Sequence, residues 1–300
     1  MSEPIVVEVR RNGAVEAVHR VHAVAVRGGE VVAAAGDPAL TCFMRSSSKP
    51  LQALPLVRAR DDLPDDELAI ACASHRDTPD QVAAARALLA RAEATEDDLE
   101  LGLQEGRPPE RIHNNCSGNH AGMLALCRAR GWPLQGYRLP EHPVQAVCLD
   151  VHSEAAELDA GSLETGTDGC GIVTFALTLE RMAHAFSRLE SLPGGARVAA
   201  AMRARPDLVG GPDGADYLLM RDAPGWLAKS GAEGLFCAAG PDGIGVAIKT
   251  EDGASRPHAP ALAAFLGRLG VDLPALAAQP VLNTRRERVG EIDTGRSGSV

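Results

Sequence analysis

The sequence predicts an α+β fold, an antiparallel sheet built from N- and C-terminal strands with helices packed on it. Three observations lead there. Residues 4–35 alternate valine and alanine with polar groups and are broken at Asn12-Gly13 and Gly28-Gly29, dipeptides that suit two-residue hairpin turns. The middle of the chain carries mostly helical patterns. Two short apolar runs, residues 235–239 and 244–249, then face each other across Gly240-Pro241-Asp242-Gly243. Strands, then helices, then strands, then a helix is the order of an α+β chain whose first and last strands share one sheet.

Each element follows from local chemistry. A helix is expected to start near Lys49-Pro50 and continue through Leu51, Leu54 and Val57, because proline in a first turn lacks only an N–H that would have been orphaned. The apolar run 68–73 reads as a short buried strand leading into Ser74-His75. Thr78-Pro79-Asp80-Gln81 supplies an N-cap, a first-turn proline and a capping-box glutamine for a helix through Ala92. Residues 120–130 form a helix stopped by Gly131. A further helix spans 143–158 and a strand 172–177. Helices at 179–189 and 196–204 follow, and one over 260–269 comes after the paired strands. With no internal repeat and no low-complexity linker, residues 1–292 read as one domain. The Gly/Ser-rich stretch 293–300 reads as a loose tail.

Composition limits the function. Of 300 residues, 45% are hydrophobic but only 3% aromatic, so the core must be built from Ala, Val and Leu, and aromatic platforms for base stacking are lacking. The formal charge of -10 repels phosphate backbones, and no basic cluster overrides it. The main acidic run, from Glu93 to Glu100, reads as a solvated helix end. Met1-Ser2-Glu3-Pro4 is not expected to open a signal peptide, and no run approaches the ~18 apolar residues of a membrane span. The seven scattered cysteines are an odd number without disulfide-scaffold density, as expected in a reducing cytoplasm. The expected partner is a small molecule, not a nucleic acid or a membrane.

The chemistry concentrates in a few segments. In Ser46-Ser47-Ser48-Lys49-Pro50, Ser46 and Lys49 lie one helical turn apart and share a face. A lysine whose pKa is lowered can take a serine proton. Arg45 is a neighbouring cation, and a helix N-terminus favours charge on the serine oxygen. Downstream, Lys229-Ser230-Gly231 leads into an apolar strand. An S-x-x-K helix followed by a K-[ST]-G strand is the pairing found in serine β-lactamases and penicillin-binding proteins. N–H groups near Ala232 could face an oxyanion. Ser74, with His75, stands at the end of an apolar run facing a pocket. The block from His113 to His120 is dense in polar side chains. Asp168-Gly169-Cys170-Gly171 combines a carboxylate that could hold an ammonium group with glycines that permit close backbone approach.

Taken together, R-S-S-x-K-P at 45–50, A-S-H at 73–75, H-N-N-C-S-G-x-H-A-G-M at 113–123, D-G-C-G at 168–171, K-x-G-A-E-G at 229–234 and I-K-x-x-D-G at 248–253 resemble the L-asparaginase II family of the rhizobial kind. The resemblance runs in the family's order to about Val289-Gly290. It implies a fold related to serine β-lactamases and glutaminases and hydrolysis of L-asparagine in a single catalytic domain. It further implies Ser46 as nucleophile with Lys49 as base, and Ser74 with Lys229 as a second Ser-Lys pair. Arg45, His75, Asn115, Asp168, Gly169 and Ala232 are the expected substrate-binding residues. A cytoplasmic homodimer is expected. No cofactor is required for the chemistry. Family members can bind Zn2+ through two cysteines, here Cys116 and Cys170, and a lysine, which this sequence replaces with Asn119. A neutral amide is a poor zinc ligand, so weak zinc binding is expected. Two competing expectations are a penicillin-recognising acyl transferase and a non-catalytic amino-acid or zinc sensor on the same scaffold.

Overall fold

A computed structural model describes residues 2–212 and 214–295. The chain opens with the expected meander: β1 (Ile5–Arg11), β2 (Ala14–Arg27) and β3 (Glu30–Ala35). At both turns the central residues have positive φ, 48° and 86° at Asn12-Gly13 and 59° and 85° at Gly28-Gly29. That is the mirror-image turn whose twist matches paired strands. β4 (Thr41–Phe43) follows, and then a 3-10 turn over Arg45–Ser48.

The single helix expected from Lys49 onward is two, α1 (Lys49–Gln52) and α2 (Leu54–Ala59). Pro55 has no N–H for the carbonyl one turn back, which breaks the ladder. The strand expected over residues 68–73 is a correction: residues 68–71 belong to α3 (Asp65–Ala71), and Cys72 and Ala73 follow it. Asp65, Asp66 and Glu67 give it an acidic first turn that complements the helix dipole, and a short apolar run alone does not distinguish a buried helix from a strand. α4 (Pro79–Arg91) starts at a complete capping box, with Gln81 N donating to Thr78 Oγ1 at 3.4 Å and Thr78 N to Gln81 Oε1 at 3.2 Å. α5 (Ser117–Arg130) stops at Gly131, φ 67°. Next come α6 (Pro143–Ala156), β5 (Glu164–Thr167), β6 (Val173–Thr178), α7 (Leu179–Arg188), α8 (Gly195–Ala204), α9 (Pro206–Val209) and α10 (Ala215–Asp222). β7 (Leu227–Ser230), β8 (Leu235–Gly240) and β9 (Ile244–Thr250) precede α11 (His258–Gly267), α12 (Pro274–Ala277), β10 (Ala278–Leu282) and β11 (Arg288–Asp293). Asp293, placed in the tail by the sequence, thus ends a strand, and residues 296–300 of that stretch lie outside the described residues.

The large sheet runs β10-β11-β1-β2-β9-β8-β7 with β3 also on β2, and each of its pairings is antiparallel. First and last strands share the sheet, as expected. A second sheet, β4-β6-β5, was not anticipated. Both faces of the large sheet are covered. Leu235, Cys237 and Ala239 of β8 join the core formed with α1 to α8, while Phe236 and Ala238 turn to α10 and α11, against Leu219, Leu262 and Phe265. This is the two-residue period of a strand buried on both sides. Among the described residues no helix is long and apolar enough to cross a membrane.

Glycines let these layers approach. A Cβ at Gly245 on β9 would stand 1.9 Å from the Ala183 carbonyl oxygen on α7. Gly245→Ala must push α7 off the sheet, and such overpacking costs about 1–3 kcal/mol. Urea unfolding should show that loss, and an unchanged midpoint would mean that the helix moves away freely.

Candidate active site

The 3-10 turn places three serines differently. Ser47 Oγ donates to the Met44 carbonyl at 2.6 Å and Ser48 Oγ to the Arg45 carbonyl at 2.7 Å, so both stitch the turn to itself. Ser46 lines a cleft of ≈ 320 Å³ together with Ser74, Asn115, Ser230, Gly231 and Ala232. Arg45, just before it, has φ 50°, a left-handed conformation that costs a non-glycine residue roughly 1–2 kcal/mol. Neighbours hold it there. Its N–H donates to Thr174 Oγ1 at 3.0 Å, and its Nε to Asp168 Oδ1 at 2.8 Å.

Lys49 enters from α1 and is 1% exposed. Its ammonium donates to the Ala73 carbonyl at 2.6 Å, to Ser74 Oγ at 3.1 Å and to Cys116 Sγ at 3.2 Å. Spacing alone pairs Lys49 with Ser46, but the hydroxyl it reaches is that of Ser74, on the loop after α3 where the Ala73 carbonyl also accepts from it. Lys229, expected to pair with Ser74, instead donates to the Ser230 carbonyl at 2.8 Å and lies 3.8 Å from Asp216 Oδ2. Burial pulls the Lys229 ammonium down to about 8, against the opposing pull of Asp216.

Ser74 is held on both sides. Its N–H donates to the Val209 carbonyl at 3.0 Å, and the next N–H, of His75, to the Asn115 carbonyl at 3.0 Å. His75 has both ring nitrogens engaged within the protein. Nδ1 accepts from the Asp77 N–H at 3.2 Å, and Nε2 lies 2.8 Å from Ser117 Oγ, whose own proton goes to the Ile112 carbonyl. Burial lowers this imidazole to about 4. The ring is therefore a neutral brace under Ser74, and His75 also lines the cleft. Arg45 and Asp168, expected to grip substrate separately, are bonded to each other. Gly169 turns its N–H onto Asp168 Oδ1 at 2.5 Å.

Behind the serine turn, a Cβ at Gly231 would come within 3.0 Å of the Met44 carbonyl, so glycine lets the end of β7 press against it. Among the described residues, neither the Ser46 nor the Ala232 N–H meets a protein acceptor. Two free donors on residues lining one cleft suit an oxyanion. The cleft also holds Glu233, part of the K-x-G-A-E-G segment but given no role there, and Gln104, Arg76 and Arg107, which sequence reasoning missed. Arg76 directly follows A-S-H and could have been flagged by that position, whereas Gln104 and Arg107 come from a loop without a pattern.

The donor set does not fit a zinc ion. A hydrogen bond from the Cys170 thiol, followed by the nearby Lys49 ammonium, favours the Cys116 thiolate over burial, and the same bond pushes Cys170 up. Asn119 turns its amide NH2 to Gln52 Oε1 and the Ala71 carbonyl. His113 Nδ1 lies 2.6 Å from Asp77, and His120 Nδ1 lies 2.6 Å from the Tyr137 hydroxyl. Among the described residues no three His, Cys, Asp or Glu side chains converge on a metal position, and the Lys49 amine lies 3.2 Å from one of the two thiols. Protein equilibrated with zinc and then passed over a chelating column should retain well under one equivalent. One equivalent surviving that step, measured by elemental analysis, would overturn this reading.

The L-asparaginase II family model matches residues 7–294. No curated protein matched the sequence. Among solved structures, Mglu in its native form in 4.3 M NaCl is similar at a TM-score of 0.51 and 15% identity, over 85% of this chain and 62% of that one. Native Mglu gives 0.49 and 15%, over 85% and 66%. A β-lactamase from Mycobacterium bovis gives 0.31 and 17%, over 78% and 88%. The chain thus spans about two thirds of the length of Mglu.

Proposed function

Because the chain belongs to the L-asparaginase II family, we propose that it hydrolyses the side-chain amide of L-asparagine to L-aspartate and ammonia, with Ser46 as the nucleophile. The family and the fold support an amidohydrolase. The observation that carries the finer reading is the 3.1 Å bond from Lys49 Nζ to Ser74 Oγ in the wall of the cleft that Ser46 shares. A serine attacks an amide only if a base takes its proton, and this bond offers a route for it.

Ser46 Oγ forms a bond to the amide carbon while its proton passes through the Ser74 hydroxyl to a neutral Lys49 amine. The oxyanion is met by the N–H groups of Ser46 and Ala232. The proton then returns to the leaving nitrogen as the C–N bond breaks, releasing ammonia and leaving an ester on Ser46. Water repeats the attack, giving its proton to the same relay, and the ester bond breaks to regenerate Ser46. Arg76 suits the substrate's α-carboxylate and Glu233 its α-ammonium, since both charges face the cleft. On the family resemblance, the working form is a cytoplasmic homodimer.

The lysines must supply one neutral amine. Lys49 can act as base only when neutral, and Lys229, lowered to about 8 and opposed by the Lys49 charge, is the neighbouring amine that, once deprotonated as pH rises, can take up its proton, so kcat/KM should climb through about pH 8. A profile flat from pH 6 to 10 would contradict this. Ser46→Ala should end ammonia release with circular dichroism unchanged. Lys49→Arg, which keeps the charge but gives up no proton near neutrality, should do the same. Ser74→Ala should lower kcat by roughly 10²–10⁴-fold, the worth of a proton-transfer group. If Ser46→Ala stays active while Ser74→Ala does not, Ser74 is the nucleophile.

A further inference from the structure

Asp216 on α10 has no part in the chemistry above and no motif marks it, yet it is 1% exposed. Its Oδ2 accepts the Ser230 hydroxyl at 2.8 Å and the Ser230 N–H at 3.3 Å, and lies 3.8 Å from Lys229 Nζ. Its Oδ1 accepts the Tyr217 N–H at 3.1 Å. Two glycines make room for it. A Cβ at Gly210 would stand 2.1 Å from Oδ1, and one at Gly214 would stand 2.4 Å away. Gly210 and Ser230 both line the cleft of the serines. A buried carboxylate is costly unless paired and hydrogen-bonded, and this one is aimed at the strand end that carries Lys229.

We propose that Asp216 is a positioning residue for the amide-hydrolysing site, its carboxylate fixing Ser230 and Lys229 in the wall that faces Ser46 and Ser74. It acts through those two residues and touches no substrate. The inference rests on the reading of this cleft as the active site. Lys229 is faced by Asp216 from α10, Lys49 from α1, Cys116 at the start of α5 and Arg76 from the loop after α3. The two cations disfavour its charge, whereas Asp216 and a Cys116 thiolate favour it. Asp216 is the largest of these charge effects, and burial opposes it.

The sign of the test follows. Asp216→Asn keeps the shape and removes the anion, so Lys229 becomes neutral at a lower pH. The acid limb of kcat/KM should move down by about 1 pH unit, and maximal kcat should fall by roughly 10–100-fold through lost positioning, with KM little changed. A merely structural role would lower kcat and leave the limb in place, and that result overturns the proposal. Titration of the Lys229 ammonium by NMR in lysine-labelled protein, its signal assigned by its loss in Lys229→Arg, reads the same quantity without turnover. Should the unaltered protein release no ammonia from L-asparagine, the functional reading fails. The NMR midpoint still decides the role of Asp216: a lower midpoint in Asp216→Asn sustains it, and an unmoved one refutes it. Should Asp216→Asn fail to fold, Ser230→Ala retains the charge and removes one tether. Its kcat should fall with the Lys229 midpoint at or above that of the unaltered protein, and a lower midpoint or an unchanged kcat counts against the proposal.

Discussion

Much of this molecule is arranged around one amine that has no water to bond. Lys49 is almost wholly buried, and an ammonium in that position must find acceptors or be lost to desolvation. Its three acceptors come from two separate parts of the chain, Ala73 and Ser74 after α3 and Cys116 ahead of α5. Satisfying the lysine therefore fixes how α1, α3 and α5 meet. The close packing of α5 on α3 helps, since a Cβ at Gly118 would fall 2.4 Å from the Ile70 carbonyl oxygen. The helical layer and the proposed proton relay are in this sense one assembly.

A second buried lysine faces the first from the sheet. Lys229 and Asp216 bring opposite charges into the low-dielectric side of the cleft, where a charge without a partner is strongly unfavourable. The serines stand between the layers, with the helical layer supplying Ser46 and Ser74 and the sheet supplying Ser230 and the Ala232 N–H. Chemistry at that boundary depends on the register of helices against sheet, and the glycines at 231 and 245 set how closely the two approach.

Patterns confined to a few neighbouring residues were legible in the sequence. The Asn12-Gly13 and Gly28-Gly29 turns, the Thr78 capping box and the Gly131 stop each depend on local chemistry, and each stands where the residues place it. Segment 68–73 shows the limit of that reading. Its alanines and leucine are equally at home in a buried helix, and the acidic turn that decides the matter lies just upstream. The site divides in the same way. The S-x-x-K and K-S-G segments announce the cleft, but spacing along one helix could not reveal that Lys49 bends to Ser74, nor that Arg45 and Asp168 neutralise each other across the small sheet. Asp216 was invisible because a carboxylate on an ordinary amphipathic helix carries no signature until the strand beside it is known. β10 and β11 were missed for a related reason: both are half-exposed strands whose apolar residues are too few to form a pattern.

The order of strands also has a consequence during synthesis. β2 is complete at residue 27, but its neighbour β9 does not begin until residue 244. At about 5–20 residues per second, the ribosome leaves the first hairpins waiting roughly 10–40 s for that partner, and β1 waits longer still for β11. Through that interval the N-terminal meander shows open edges and an apolar face with nothing to cover it, a ready template for another nascent chain. Its charged residues, such as Glu8, Arg10 and Arg20, interrupt the valines on the strands left waiting. A protein built this way depends on holding its earliest segments apart from their copies until the latest ones arrive.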